Sequence, residues 1–343
     1  MNALEQAWYQ DKSWALLLSP LVPVFRSIAR IRRLLLQAFN QGRGFSVPVI
    51  VVGNIVVGGV GKTPLVIALA KRLKAEGFRP GIVSRGYGGT VDKAVPLQLS
   101  SIHGAEEVGD EPRLIADASA CPVVVGADRA AAVSFLLASN DCDVVLSDDG
   151  LQHYRMHRDI EIAVVDGERG LGNGWCLPAG PLREPKARLS EVDMVVVNGE
   201  GYRPEAEFFT MKLVATGLRN LRSGETQAPG NWNGVKQVHG VAGIGNPLRF
   251  QRTLEELGFT VTLHAFPDHY NFSGRDLIFE DKLPVFITAK DAVKCGGPMS
   301  SEDEPMSADD ELLANGNVWV LDVEAQLPEA AWQVLVEQLN QKP

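Results

Sequence analysis

Residues 47–63 constrain the fold more than any other stretch of the chain. Val47 to Val52 is an unbroken apolar run with Pro48 near its start. That is the pattern of a parallel strand buried on both faces. It leads through Gly53-Asn54 into Gly58-Gly59-Val60-Gly61-Lys62-Thr63, and Thr63 to Glu76 then has helical periodicity. Strand, glycine-rich turn and helix in this order make a phosphate cradle. The glycines let main-chain N–H groups converge on phosphate oxygens, and the helix N-terminus adds partial positive charge. Lys62 would reach the β- and γ-phosphates and the Thr63 hydroxyl would bind Mg²⁺. The nucleotide-binding stretch is therefore Val56, Val57, Gly58, Gly59, Val60, Gly61, Lys62 and Thr63. The strict P-loop pattern has Gly where this chain has Val56. Partitioning and septum-site ATPases share such a variant loop but carry a lysine directly before the Gly-Gly pair. Here that residue is Val57, which argues against dimer-dependent ATP hydrolysis.

Short apolar runs at 81–83, 122–125, 144–146, 160–165 and 194–197 alternate with helix-like stretches such as 128–138. This predicts an α/β fold of the P-loop NTPase type, a mostly parallel sheet flanked by helices. The pattern changes near residue 200. A strand-bearing linker over 210–234 is expected to join the P-loop domain (44–209) to a smaller α/β domain (235–317), with a returning strand and C-terminal helix at 318–343. Residues 296–311, rich in Gly, Pro, Ser and acids, read as a loop. A length of 343 residues favours two domains.

The formal charge of −9 makes the chain a poor nucleic-acid binder. It is unevenly spread. Lys12, Arg26, Arg30, Arg32, Arg33 and Arg43 lie in a stretch with no acid, which leaves −15 on the remainder. Within it, Trp14 to Phe25 is apolar for only 12 residues and holds Pro20 and Pro23, too short for a helix that spans a bilayer. Its basic residues follow the apolar run, so it does not read as a cleaved signal. On a helical wheel Phe25, Ile28, Leu35, Leu36 and Phe39 share one side and Arg26, Arg30 and Arg33 the other, with Arg32 out of pattern. Residues 1–43 read either as an interfacial membrane anchor or as a helix packed on its own domain. The cysteines at 121, 142, 176 and 295 form no C-x-x-C pair, which suits a reducing cytosolic setting.

Asp143 to Asp149 is an apolar strand that ends in two acids. A P-loop enzyme needs a carboxylate at such a strand tip to hold Mg²⁺, which nominates Asp148 with Asp149 beside it. His153 either contacts phosphate or packs locally. Asp110 and Glu111 sit where a helix begins, and acids there commonly serve the helix dipole. His269, in Pro267-Asp268-His269-Tyr270, is on its own spacing a structural histidine.

The motifs together resemble the tetraacyldisaccharide 4′-kinase family. They are the Gly53–Pro64 stretch, Ser84-Arg85-Gly86-Tyr87-Gly88, Gly109-Asp110-Glu111-Pro112, Asp148-Asp149-Gly150-Leu151-Gln152-His153 and Pro178-Ala179-Gly180-Pro181-Leu182-Arg183-Glu184. Gly243-Ile244-Gly245-Asn246-Pro247, Phe266-Pro267-Asp268-His269 and Thr288-Ala289-Lys290-Asp291 follow, all in family order from 53 onward. Ala289 stands where the family pattern has an acid. The resemblance implies transfer of the ATP γ-phosphoryl group to the 4′-hydroxyl of a tetraacylated glucosamine disaccharide 1-phosphate, in lipid A biosynthesis, at the cytoplasmic face of a bacterial inner membrane. It implies ATP and Mg²⁺ but no protein partner. It also implies an Asp110–His269 dyad as general base, with Asp110 or His269 taking the proton. Arg85, His153 and Arg183 become substrate contacts, and Thr63, Asp148, Asp149 and Glu184 metal or supporting ligands. The competing readings are a membrane-switching ATPase, a nucleotide-sensing scaffold without chemistry, and a soluble small-molecule kinase.

Overall fold

The structure is a computed structural model that describes residues 3–10, 13–40, 44–295 and 317–341. The loop expected over 296–311 lies outside the described residues, as do Lys12 and Arg43. The strands are β1 (Val49–Gly53), β2 (Pro80–Ser84), β3 (Leu97–Gln98), β4 (Val123–Val125), β5 (Val144–Asp148), β6 (Ile160–Asp166) and β7 (Met194–Asn198). They continue as β8 (Phe208–Asn220), β9 (Thr226–Gln227), β10 (Gln237–Ala242), β11 (Thr260–Ala265), β12 (Val285–Thr288) and β13 (Val318–Gln326). Their order is 11-10-12-13-8-7-6-1-5-2-4-3, with β9 on β8.

Two parallel sheets share a seam. From β4 to β8 every neighbour pair is parallel, and so is every pair from β11 to β13. β8 pairs in parallel with β7 at its start and antiparallel with β13 along the rest. In parallel α/β sheets ligands bind beyond the carboxyl ends of the strands. Reversal of direction at the seam turns the carboxyl ends of one sheet toward those of the other. Asn198 at the end of β7 aligns with Met211, and Thr288 at the end of β12 aligns through Leu321 with Leu218. Met211 to Leu218 is roughly 20 Å of extended chain, and loops from both sheets fill that gap. Of the expected linker, 210–220 is thus strand. Polar residues alternate there because one face of β8 is half exposed.

β1 is buried at all five positions, as its uninterrupted apolar run requires. Burial of a Val or Ile side chain is worth about 1.5–3 kcal/mol, so this strand anchors the front core. Helices α3 (Lys62–Ala75), α5 (Asp110–Ser119) and α6 (Arg129–Ser139) pack around it, α4 being the single turn Ala105–Val108. The C-terminal helix, α9 (Glu329–Asn340), returns Trp332, Leu335 and Leu339 to the same front core. A second core gathers Trp232, Phe259, Phe286 and Leu254 around the back sheet.

At the N-terminus α1 (Ala3–Trp8) docks by a hydrogen bond from Trp8 Nε1 to the Pro178 carbonyl, 3.0 Å. The expectation that Pro20 and Pro23 interrupt the next segment is corrected. A 3₁₀ turn over Trp14–Leu21 runs directly into α2 (Val22–Asn40), because Val22 stays in the right-handed helical region and Pro23 occupies the first turn, where no intrahelical N–H is needed. The stretch Trp14–Ala38 is by length and composition long enough to cross a membrane. The helical wheel is corrected too. Phe25 and Leu36 turn toward the body, whereas Val24, Ile28, Ile31 and Leu35 are each more than half exposed and form one stripe. Arg33 faces inward because Glu191 pairs with it at 2.6 Å.

Gly53, at the end of β1, has no room for a side chain: a Cβ there would lie 2.6 Å from Leu151 Cβ and 3.0 Å from Leu151 N. Gly53→Ala is expected to lower stability by ~1–3 kcal/mol, the usual cost of overpacking. Urea unfolding should show a lower midpoint at unchanged slope.

Candidate active site

The phosphate loop is shaped from beneath. Gly58 and Gly61 have φ of 105° and 94°, which only glycine adopts freely. Asn54 Nδ2 donates to the Gly58 carbonyl and Asn198 Nδ2 to that of Val60. Val57 N–H donates to Pro181 O, and Arg183 N–H to Ile55 O at 2.7 Å. The first part of the expected nucleotide-binding stretch is therefore anchored: Val56 is in the core and the Val57 N–H is already used. Gly59, Gly61 and the start of α3 complete the loop. Lys62 opens α3, with buried Thr63 next to it.

Lys62 pairs with Asp149 at 3.3 Å and Arg183 pairs with the same carboxylate at 3.6 Å. Burial favours the neutral Asp149 carboxyl, but these cations outweigh it and hold it below the usual range. Asp148, at the tip of β5, is fully buried. Burial, then the charges of Glu111 and Asp149, push its carboxyl up to about 7 against Lys62 and Arg129. Ser84 Oγ donates to Asp148 Oδ2, and Oδ1 has no hydrogen-bond partner. Burial and the charges of Arg129, Arg85 and Arg158 lower His153 to about 4, so it is neutral at pH 7. Arg85 itself is exposed.

Asp110 begins α5 directly after Gly109, so its place in the first helical turn and its place in the site are the same. A Cβ on Gly109 would lie 2.5 Å from Tyr87 O. This close approach brings the 84–88 loop against the start of α5. His269 reaches across from the loop after β11. Its Nδ1 lies 3.1 and 3.0 Å from the two Asp110 oxygens, and its ring is 5.1 Å from that of Tyr87. It holds φ of 62°, a left-handed conformation that is uncommon for a residue with a side chain. The hydrogen bond to Asp110 raises the imidazole above its ordinary value, although burial opposes this. For Asp110, burial raises the carboxyl, but His269 and the Lys290 charge outweigh it, with the net shift downward.

A family model for tetraacyldisaccharide-1-P 4′-kinase matches residues 14–340. The chain belongs to that family. The tetraacyldisaccharide 4′-kinase of Alkalilimnicola ehrlichii is 47% identical over 98% of this chain and 96% of its own. That of Nitrosococcus oceani is 44% identical over 97% and 93%. The crystal structure of LpxK from Aquifex aeolicus in complex with ATP superposes with a TM-score of 0.75 at 28% identity, over 95% of this chain and 99% of the other. The chain is thus an ATP-dependent kinase of lipid A biosynthesis, built on the α/β P-loop fold.

Besides Val56 and Val57, a third residue of the expected kinase site stands apart. Glu184 is occupied by other protein groups: its carboxylate accepts from Gln152 at 2.8 Å and from the Tyr154 hydroxyl, and lies 3.6 Å from Arg188. It braces the loop after Asp149 from behind. Several residues that border the site carry no distinctive sequence signal. Arg129 is fully buried and donates to the carbonyls of Gly126 and Asp148. Arg169 donates to the Gly245 carbonyl at 3.0 Å and to that of Gly59, tying the phosphate loop to the opposite sheet. Arg249, in α7 (Pro247–Glu256), pairs with Asp166 at 3.0 Å across the same boundary.

Removal of Lys62 deletes a charge-assisted contact worth ~1.5–3 kcal/mol. Lys62→Met is expected to weaken ATP binding about 10- to 150-fold, as measured by isothermal titration calorimetry.

Proposed function

We propose that the chain moves the γ-phosphoryl group of ATP to the 4′-hydroxyl of a tetraacylated glucosamine disaccharide 1-phosphate, with the Asp110–His269 pair as general base. The observation that carries this reading is the contact between Asp110 and His269 across the facing sheet edges, beside the phosphate loop. An alcohol attacks phosphorus only if it is aligned and relieved of its proton. In the neutral ring Asp110 accepts a hydrogen bond from Nδ1–H, and Nε2 is then the basic nitrogen, with Asp268 3.9 Å from it. Nε2 takes the hydroxyl proton as the O–P bond forms, the γ-phosphorus to bridging-oxygen bond breaks, and ADP leaves. Lys62 and Arg183 hold phosphate charge, and Arg85 and His153 border the acceptor.

The donor set fits a divalent cation. The buried Asp148 has one oxygen without a partner, and its carboxyl is pushed toward neutrality where no cation balances it. Among the described residues no cluster of three or more His, Cys, Asp or Glu side chains is arranged to hold a metal alone, so phosphate oxygens would complete the ligand set. Thr63 and Asp148 would hold Mg²⁺, with Asp149 supporting, and bound Mg²⁺ supplies positive charge to the transferring phosphoryl group. Glu184 is committed elsewhere.

We further propose that α2 seats the kinase on the cytoplasmic face of the inner membrane. The exposed stripe of Val24, Ile28, Ile31 and Leu35 would enter the acyl boundary, and Arg26, Arg30 and Arg32 would meet anionic headgroups. A soluble acceptor would have no need of such a stripe.

Four outcomes are expected. With γ-labelled ATP and the disaccharide 1-phosphate in detergent micelles, label should appear on the lipid. Asp110→Asn and His269→Ala should each lower kcat ~10²-fold or more, and the double variant should cost less than the product of the two; near wild-type turnover in both singles would exclude the dyad. An imidazole raised by its carboxylate loses its base form as pH falls through that raised value. The acid limb of the kcat/KM profile should therefore lie above the ordinary histidine range. Finally, Ile28→Ser with Leu35→Ser should reduce cosedimentation with anionic vesicles and leave ATP binding unchanged.

A further inference from the structure

The dyad sits in an excess of negative charge. Asp110 approaches from α5 and Asp268 precedes His269 in its own loop, with Glu111 next to Asp110 in the same helical turn. An imidazole facing only carboxylates would be held as imidazolium, which cannot accept a proton. One cation reaches all three acids. Lys290, in the single turn α8 (Ala289–Ala292), places Nζ 2.9 Å from Glu111, 3.3 Å from Asp268 and 3.8 Å from Asp110. Its position is set by the next residue. Asp291 has no exposed surface and accepts from Thr288 Oγ1 at 2.7 Å and from Gly243 N–H at 3.1 Å, and it pairs with Lys294 at 2.8 Å. The Lys290 side chain is only 16% exposed. Burial alone would lower its ammonium, but Glu111, Asp268 and Asp110 outweigh that and raise it, so it remains charged wherever the kinase works.

We propose that Lys290 is a positioning residue for the dyad: its ammonium, shared among carboxylates from both facing edges, holds Asp110 and the His269 loop together and offsets the negative charge around the imidazole. The inference rests on the dyad reading and goes beyond it by naming what balances the pair. The Tyr87 ring packs 5.1 Å from that of His269, and the charge of Lys294 acts on Asp110 from a greater distance than that of Lys290. Lys290 acts on both partners with opposite consequences. It favours ionised Asp110 and disfavours imidazolium at His269. Loss of its charge leaves Asp268 and Glu111 uncompensated and removes the repulsion between ammonium and ring, which favours imidazolium as long as Asp110 stays ionised.

The test compares wild type, Lys290→Met and Lys290→Arg as full-length protein. The ring protons of His269 are followed by NMR across pH, and kcat/KM is measured over the same range. In Lys290→Met the His269 titration and the acid limb should both move to higher pH, so that the ratio of wild-type to variant turnover grows as pH falls. Lys290→Arg keeps the charge and should restore both. A purely structural lysine would lower turnover by a constant factor at every pH, and a pH-independent loss with an unmoved titration would overturn the proposal. If Lys290→Met fails to fold, Lys290→Gln, with a similar stem and a polar end, carries the same comparison. A titration that moves while the acid limb does not would uphold the charge effect of Lys290 and refute the dyad as base, which keeps the two failures apart.

Discussion

One strand belongs to both sheets, and the geometry of the catalytic cleft follows from that. β8 gives its first residues to β7 in parallel and the rest to β13 antiparallel. Without the reversal the loops after β10, β11 and β12 would open away from the phosphate loop. With it, Gly245 comes so close to Gly59 that an added Cβ would lie 2.8 Å from Gly59 N, and His269 reaches Asp110. The backbone places the two edges opposite each other. Arg169, Arg249 and Lys290 then join them with charged side chains.

The charges in the site divide into two groups with different tasks. Near the phosphate loop, Lys62, Arg183 and buried Arg129 surround two acids. That region suits polyanionic phosphate accompanied by a cation. Around His269 acids outnumber bases: Asp110, Glu111 and Asp268 share the ammonium of Lys290. Glu111 touches both groups, through its charge on Asp148 and its ion pair with Lys290. A low effective dielectric makes such couplings strong in both directions.

Much of this was legible from residue order. The strand–loop–helix at 47–76, the acids at the tip of β5 and the succession of parallel strands carry local signals of period and composition, and local signals survive folding. The pairing of Asp110 with His269 is different: 159 residues separate them. Only the set of motifs taken together suggested it, since a lone histidine on spacing alone reads as structural. What stayed hidden depends on partners distant in sequence. The length of β8 was obscured because its half-exposed face alternates like a linker. Glu184 carries the right chemistry for a metal, but Tyr154, Gln152 and Arg188 claim it first. Arg33 belongs to the polar side of an isolated helix and turns inward only because Glu191 waits there.

The shared strand also has a mechanical consequence. Beyond β7 the seam is a two-stranded ribbon, and its pairing shifts register between Asp322 and Val323. Such irregularities concentrate twist. The two edges are therefore joined by paired backbone, which resists displacement by coiling where a slack tether would swing.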